Sequence, residues 1–487
     1  MRFFIRCTMA ETNNFFDNKE FKDNLKRYEK AHIQGLSIYL DADEFADIAE
    51  YYRGKGRIDD AHAVLDEAIN LFPGSTTLWT VKARITLLEG GDVERAYEYI
   101  SHVDDKDDVE YTYTLAEIMI MDGKAKQADQ LLHRRFERVD DEEREEFKQD
   151  VANIYADYEE FDLAKEWFDR LEPNEDNSYK ELKGRIALGT GNLEDSENIF
   201  QELIDEDPYS TSYWNNLAML QFLKSNFNDS ITSSEFSIAI NPDDVEAILT
   251  KANGLFSLGN YEEALNYFDR YSKLVPDDLS VVMLKGVTLL HLNKPEEALT
   301  HFKKAEKMGR HSASNLPEIY QEIAFTLSQQ GRVEEALAYL DKKEKLPNDN
   351  HCDTLLLKGH ILLENDYLEK AQEVFQEAIR ISDNSPSTFL QIAISVYDCR
   401  YVHLAYNLFL SYFKDMGDTC QDGYAYFARC ANELGKKKEF AHAVKLACER
   451  NPMEAKMVLA DLFPEGMSTE EYYPYLLSIN MDERKQK

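Results

Sequence analysis

Catalysis, redox chemistry and metal binding each need a few side-chain types at fixed spacing, and this chain offers few such places. His351 beside Cys352 is one pair of donors. A metal site needs a second pair at ligand spacing; none follows, so the two residues read as the start of a helix. The run Gly189-Thr190-Gly191 falls short of the glycine-rich loop that cradles phosphate and reads as a turn. No His-Glu-x-x-His, Cys-x-x-Cys or serine-centred elbow occurs. Carboxylates are so abundant that no single pair signals acid–base chemistry. The expectation is a non-enzyme that holds no metal and needs no cofactor. The segments flanking the periodic region described below, about 41 residues before it and 33 after, are too short to be a catalytic domain.

What remains is charge. Asp and Glu number 92 against 55 Lys and Arg, a formal charge of -37. Nucleic-acid affinity rests on clustered cations, so no nucleic-acid partner is expected, and a charged partner would be basic. The excess is densest between Glu137 and Asp176, with 17 acidic and 5 basic residues, either a solvated outer face or a docking surface for a basic segment. The six cysteines fall in no paired spacing and read as reduced, partly buried thiols of a cytoplasmic protein. No run of about 18 apolar residues marks a membrane span. The opening Met-Arg-Phe-Phe-Ile-Arg lacks an apolar stretch behind it, because Thr8, Glu11, Thr12, Asn13 and Asn14 intervene, so no secretory signal is expected. Met9 offers a second start position. Hydrophobic residues at 43% and aromatics at 12% are ample for a packed core.

The elements that must position any site are legible from one period. Small residues recur at Ala61, Ala96, Ala128, Ala164, Ser196, Ser230, Ala264, Ala298, Ala336, Ala371 and Ala405, with steps from 32 to 38 and mostly 34 or 35. Self-similarity at this spacing marks an array of one supersecondary unit. In the stretch from Val245 to Asp278, Ile248, Ala252 and Leu255, then Tyr261, Ala264, Leu265 and Phe268, follow helical spacing on two stretches separated by Gly259. Gly56, Gly123, Gly191, Asn293, Gly331 and Gly435 hold the same phase, as a left-handed residue ending a helix would. Pro73, Pro208, Pro242, Pro276 and Pro452 close units; Pro317 and Pro386 open them, as suits a first helical turn.

These residues resemble the tetratricopeptide repeat family, whose pattern runs aromatic, Leu-Gly or a similar small pair, aromatic, second-helix Ala, aromatic, Ala and a closing Pro. Gly286, Ala298, Phe302 and Ala305 match it in one unit, and Gly359, Ala371, Phe375 and Ala378 in another; Trp79 and Trp214 take the first aromatic position. The resemblance implies an all-α, right-handed solenoid and a multi-repeat cytoplasmic scaffold of bacterial type. Twelve units are expected, starting near residues 42, 76, 109, 145, 177, 211, 245, 279, 317, 352, 386 and 421, the weakest matches being those at 76 and 145. Residues 1–41 are then a tail and capping helix, 42–454 the solenoid with a hinge at 311–316, and 455–487 capping helices and a polar tail. Phe21, Leu25, Tyr28 and His32 should cover the first unit, and Met457, Leu459, Leu462 and Phe463 the last. Ser468 and Glu471 are spaced as a capping box, with Pro474 shortening or kinking the helix that follows. Ser196, Ser230 and Phe440, which replace the usual alanine, mark where the array should deform.

The resemblance also implies a concave wall built from set positions of each first helix. Those positions hold Met219, Phe222, Leu223, Leu249, Asn253, Phe256, Met283, Val287, Leu290, Phe325, Leu356, Leu363, Leu390, Ile394 and Tyr397 in the second half of the chain. In the first half they hold Asp43, Glu50, Glu110, Glu117, Glu146, Asn153 and Glu181. A groove passing from acidic to apolar suits a protein or peptide partner, basic or amphipathic; burial of the apolar positions against neighbouring first helices is the alternative. The carboxylate clamp of the family is not met, since Ala46 and Glu50, Leu249 and Asn253, or Ala425 and Arg429 fail its pairing. The function expected is a non-catalytic interaction scaffold, with a self-assembling structural protein as the alternative.

Overall fold

The computed structural model describes residues 16, 18–34, 38–309, 315–347, 349–464 and 466–485. Cys7, the two start positions and residues 311–314 of the expected hinge lie outside them. Among the described residues there is no strand, and helices from Ala42–Gly54 to Lys437–Arg450 run in consecutive pairs, as an array of helical hairpins. The chain divides into two compact units, residues 1–278 and 279–487.

Local chemistry starts and stops each helix. At the first pair Asp41 accepts a bond from the Glu44 amide and Glu44 accepts one from the Asp41 amide, each at 2.8 Å, a capping box that satisfies two otherwise orphaned donors. Ser75, Asp108, Asp244 and Asn350 cap later first helices by the same means. Pro317 and Pro386 sit in first helical turns, as expected. Each hairpin turn holds a left-handed residue: glycine or Asn293 where the sequence indicated, Gly91 in the second pair, and Glu159, Ser225, Asp366 and Arg400 in others.

Packing explains the period. All eleven small residues from Ala61 to Ala405 are fully buried. At Ser196 and Ser230 the hydroxyls donate to the carbonyls of Gly184 (2.9 Å) and Ala218 (2.8 Å) on the preceding helix. The serines are absorbed at those contacts, because the donor that burial would strand finds an acceptor where the helices cross closely. Phe200, Phe268, Phe302 and Phe409, four residues on, are also fully buried. Phe440 is half-buried.

The ends are covered largely as expected. Phe21, Leu25 and Tyr28 of the helix Lys19–Gln34 are buried, whereas His32 is exposed and stacks on Tyr28. Leu459 and Phe463 are buried and Phe463 stacks on Tyr472 at 3.9 Å, but Met457 points outward and is 75% exposed. Glu471 accepts from the amide and hydroxyl of Ser468. The helix Thr469–Lys485 runs through Pro474 without stopping, because a proline near a helix start removes only one early hydrogen bond.

Candidate partner-binding faces

The donor pairs considered first are structural. His351 begins the helix His351–Glu364 and pairs with Glu344 at 2.7 Å; the Cys352 amide donates to the Asn350 cap. Gly191 is left-handed and forms the expected turn. Among the described residues no group of His, Cys, Asp and Glu is placed to hold a metal ion, and no helix is long and apolar enough to cross a membrane. Burial pushes the Cys399 and Cys430 thiols up to about 12, which leaves them protonated and poorly nucleophilic at neutral pH.

In the unit 1–278, first helices of successive pairs pack side by side, and a polar ladder links them. Arg84 reaches Glu117 (3.0 Å), Glu110 (3.5 Å) and the Thr114 hydroxyl (3.2 Å). The Tyr113 hydroxyl donates to Asp150 at 3.1 Å, Arg185 pairs with Asp157 at 2.5 Å, and the Ser212 hydroxyl donates to Glu181. Asn215, almost wholly buried, donates to Asp244 and Glu246 of the next first helix while its Oδ1 has no partner. Glu50 pairs with Arg53 on its own helix. This ladder was not visible in the sequence as partners; the only signal was polar residues recurring at the wall positions.

The same face carries carboxylates that no cation meets. Asp43 and Asp47, one helical turn apart on Ala42–Gly54, and Glu146 on Arg144–Asp157 have no hydrogen-bond or ion-pair partner among the described residues. Burial, reinforced by Asp43, Asp41, Glu44 and Glu50, pushes the Asp47 carboxyl up to about 6. Burial does the same to Asp150, with Glu146 and Glu110 adding to it and the Tyr113 bond opposing it. The densely acidic stretch 137–176 is not uniform: on the one helix Arg144–Asp157, Glu145 pairs with Lys148 and accepts from the Glu172 amide, whereas Glu146 has no such partner among the described residues.

Further along this unit the face turns apolar. Met219, Leu249, Asn253, Phe222 and Phe256 are half-buried and Leu223 is 52% exposed, in contrast to the fully buried core. Phe222 meets Phe227, and Phe256 meets Tyr261, edge-on at 5.4 and 5.5 Å, so the same aromatic pair recurs in consecutive hairpins.

In the unit 279–487, Met283, Val287, Leu290, Phe325, Leu390, Ile394 and Tyr397 are half-buried, whereas Leu356 and Leu363 are buried. A second ladder runs here: His360 Nδ1 lies 2.9 Å from the Ser395 hydroxyl, Ser328 donates to Glu364 at 2.6 Å, and the Tyr397 hydroxyl donates to Glu433 at 2.7 Å. Phe325 packs edge-on to His360. Burial, then Glu318, pushes the Glu322 carboxyl up. Arg429 is held by the Val458 carbonyl at 2.7 Å and by Asp461. Arg53, Arg84, Arg185 and Arg429 each engage a carboxylate of the chain itself.

Comparison with known proteins finds two family models that each match part of the chain. Residues 353–385 match the tetratricopeptide repeat model, and residues 224–305 match that of the anaphase-promoting complex, cyclosome, subunit 3. Among solved structures the chain is similar to MamA of MSR-1, at 22% identity over 35% of this chain and 95% of that one, with a TM-score of 0.31. It is similar to MamA from Desulfovibrio magneticus RS-1 at 14% identity, 35% and 94% coverage and a TM-score of 0.33. YrrB, described as a TPR protein with an unusual peptide-binding site, is 19% identical over 38% of this chain and 93% of its own, with a TM-score of 0.32. No curated protein matches the chain.

Proposed function

We propose that this chain, which carries tetratricopeptide repeats, is a non-catalytic scaffold that holds a peptide or helix of a partner protein against its first-helix faces. Repeats of this type generally serve protein interaction. The observation that carries the reading is the half-buried apolar series: Met219, Phe222, Leu249 and Phe256 in one unit and Met283, Val287, Leu290, Phe325, Leu390 and Tyr397 in the other. In an array whose core side chains are fully buried, side chains left half open at three recurring positions of the first helix are surface still available to a partner. Covering them would contribute about 25 cal/mol for each Å² of apolar area removed from water. The Asn253 amide beside them would fix register by hydrogen bonding.

The test is Phe222→Asp combined with Phe256→Asp. Partner recovery from native lysate should be abolished while helicity by circular dichroism is retained. Unchanged recovery would sink the assignment of this face.

A further inference from the structure

We infer that the segment held by the unit 1–278 is extended, basic over the part that crosses the early hairpins and apolar over the part that crosses the later ones. This rests on the reading that first-helix faces bind a partner, and it adds the chemistry of the occupant.

Two observations meet on one face. Asp43 and Asp47 on Ala42–Gly54, and Glu146 and Asp150 on Arg144–Asp157, meet no cationic side chain among the described residues, whereas Glu110 and Glu117 share Arg84 and Asp157 has Arg185. The first-helix wall of the early hairpins therefore carries more negative charge than Arg84 and Arg185 offset. Asp47 and Asp150 are half-buried and Asp43 and Glu146 exposed; carboxylates crowded in this way repel each other, and a cation brought to them relieves that repulsion. On later first helices, nearly three turns further toward the helix C-terminus, Phe222 and Phe256 leave apolar surface half open, each steadied by an aromatic neighbour across the turn. A wholly basic segment would leave the aromatic end uncovered, and a wholly apolar one would bury unpaired carboxylates at a cost. Only a segment that changes character along its length satisfies both ends.

The spacing sets a length. Neighbouring packed helices lie about 9 Å apart, so the three steps from Ala42–Gly54 to Arg144–Asp157 span roughly 27 Å, and three more reach Val245–Ser257. At about 3.3 Å per extended residue the occupant needs roughly 8 residues for each half.

The test is selection of displayed random peptides of about 20 residues on the full-length protein, with the survivors remade and titrated by fluorescence anisotropy. Survivors should place Lys and Arg in one half and aromatic or branched aliphatic residues in the other. Their affinity should fall about tenfold between roughly 50 and 300 mM NaCl, since exposed ion pairs are screened over that range. It should fall about as far in the isosteric variant Asp47→Asn, Glu146→Gln, Asp150→Asn, whose fold is checked by circular dichroism, and vanish in Phe222→Asp with Phe256→Asp. Neutral or acidic survivors, salt-independent binding, or full affinity in the neutralised variant overturns the inference. If such survivors are still lost with the two phenylalanines, the docking reading stands without it. A pool that yields no binder, or binders indifferent to both variants, overturns both.

Discussion

Replacing Gly286 with alanine should destabilise the protein, although the residue lies inside the helix Leu279–His291, where alanine is intrinsically favoured by about 1 kcal/mol. A Cβ at this position would sit 2.4 Å from Phe302 Cε1, 2.7 Å from Cζ and 2.8 Å from Cδ1. Phe302 is fully buried beside Ala298 and Ala305, themselves without exposure, so its ring has nowhere to retreat. Overpacking costs about 1–3 kcal/mol, and contacts this short against a ring that cannot move lie in the upper part, about 2–3 kcal/mol, which exceeds the propensity gain and leaves a net loss of about 1–2 kcal/mol. Urea titration followed by circular dichroism measures it; amide exchange on the pair Leu279–His291 and Pro295–Gly309 localises it, since repeat arrays need not unfold as one unit. Phe302→Leu in the same chain should recover part of the loss, with a coupling of about 1 kcal/mol. Gly54→Ala is the control: its added Cβ meets nothing within 4 Å, so only the propensity gain remains. Stability unchanged or raised in Gly286→Ala, or strict additivity with Phe302→Leu, would refute the packing argument.

Other consequences follow from the turns and the buried carboxylates. Ser225 and Arg400 hold φ values of 61° and 68°, so Ser225→Gly and Arg400→Gly should each raise stability by about 0.5–1 kcal/mol in thermal melts, whereas glycine placed mid-helix should lower it. Asp47 has a folded pKa of about 6 against an ordinary value near 4; its penalty is absent below about pH 4 and grows as pH rises through 6. Melts at pH 5 should therefore lie above those at pH 7.5. Asp47→Asn should remove part of that slope and raise the pH 7.5 midpoint by about 1–2 °C, a modest figure because water still screens the half-open group. Glu454 accepts from the amides of Gly423 (2.9 Å) and Ala425 (3.1 Å) at the start of Tyr424–Glu433; Glu454→Ala should cost about 1–2 kcal/mol and speed exchange at those two amides.

The fold was legible because its determinants repeat. The alanine phase from Ala61 to Ala405 is set by close helix crossing, which admits few side chains, and every position in it is fully buried. The weak sequence matches near 76 and 145 coincide with short second helices, Val93–Ile100 and Phe161–Phe168, of eight residues each. The turn at Ser225 was not legible from glycine, because the left-handed region excludes most residues by about 1–2 kcal/mol rather than absolutely, and a buried hairpin can bear that. The misplacement of Met457 has a similar origin. Apolar spacing on a terminal helix names a face but not which of its edges meets the core, and Met457 falls at the open edge beside buried Val458 and Leu459.

The candidate faces were legible only as a list of positions, because partners across first helices lie roughly one repeat apart and no local pattern links them. Tyr113 with Asp150, Arg185 with Asp157 and Asn215 with Glu246 are such pairs, and each couples one hairpin to the next through largely buried first-helix groups. Core positions here answer to volume and can be read one unit at a time; wall positions answer to their neighbours' charge and must be read two units together. Carboxylates that find a cation in the next unit, as Asp157 finds Arg185, belong to the array's own stability. Asp43, Asp47 and Glu146, which find none, are the residues on which the proposed docking of a basic segment rests.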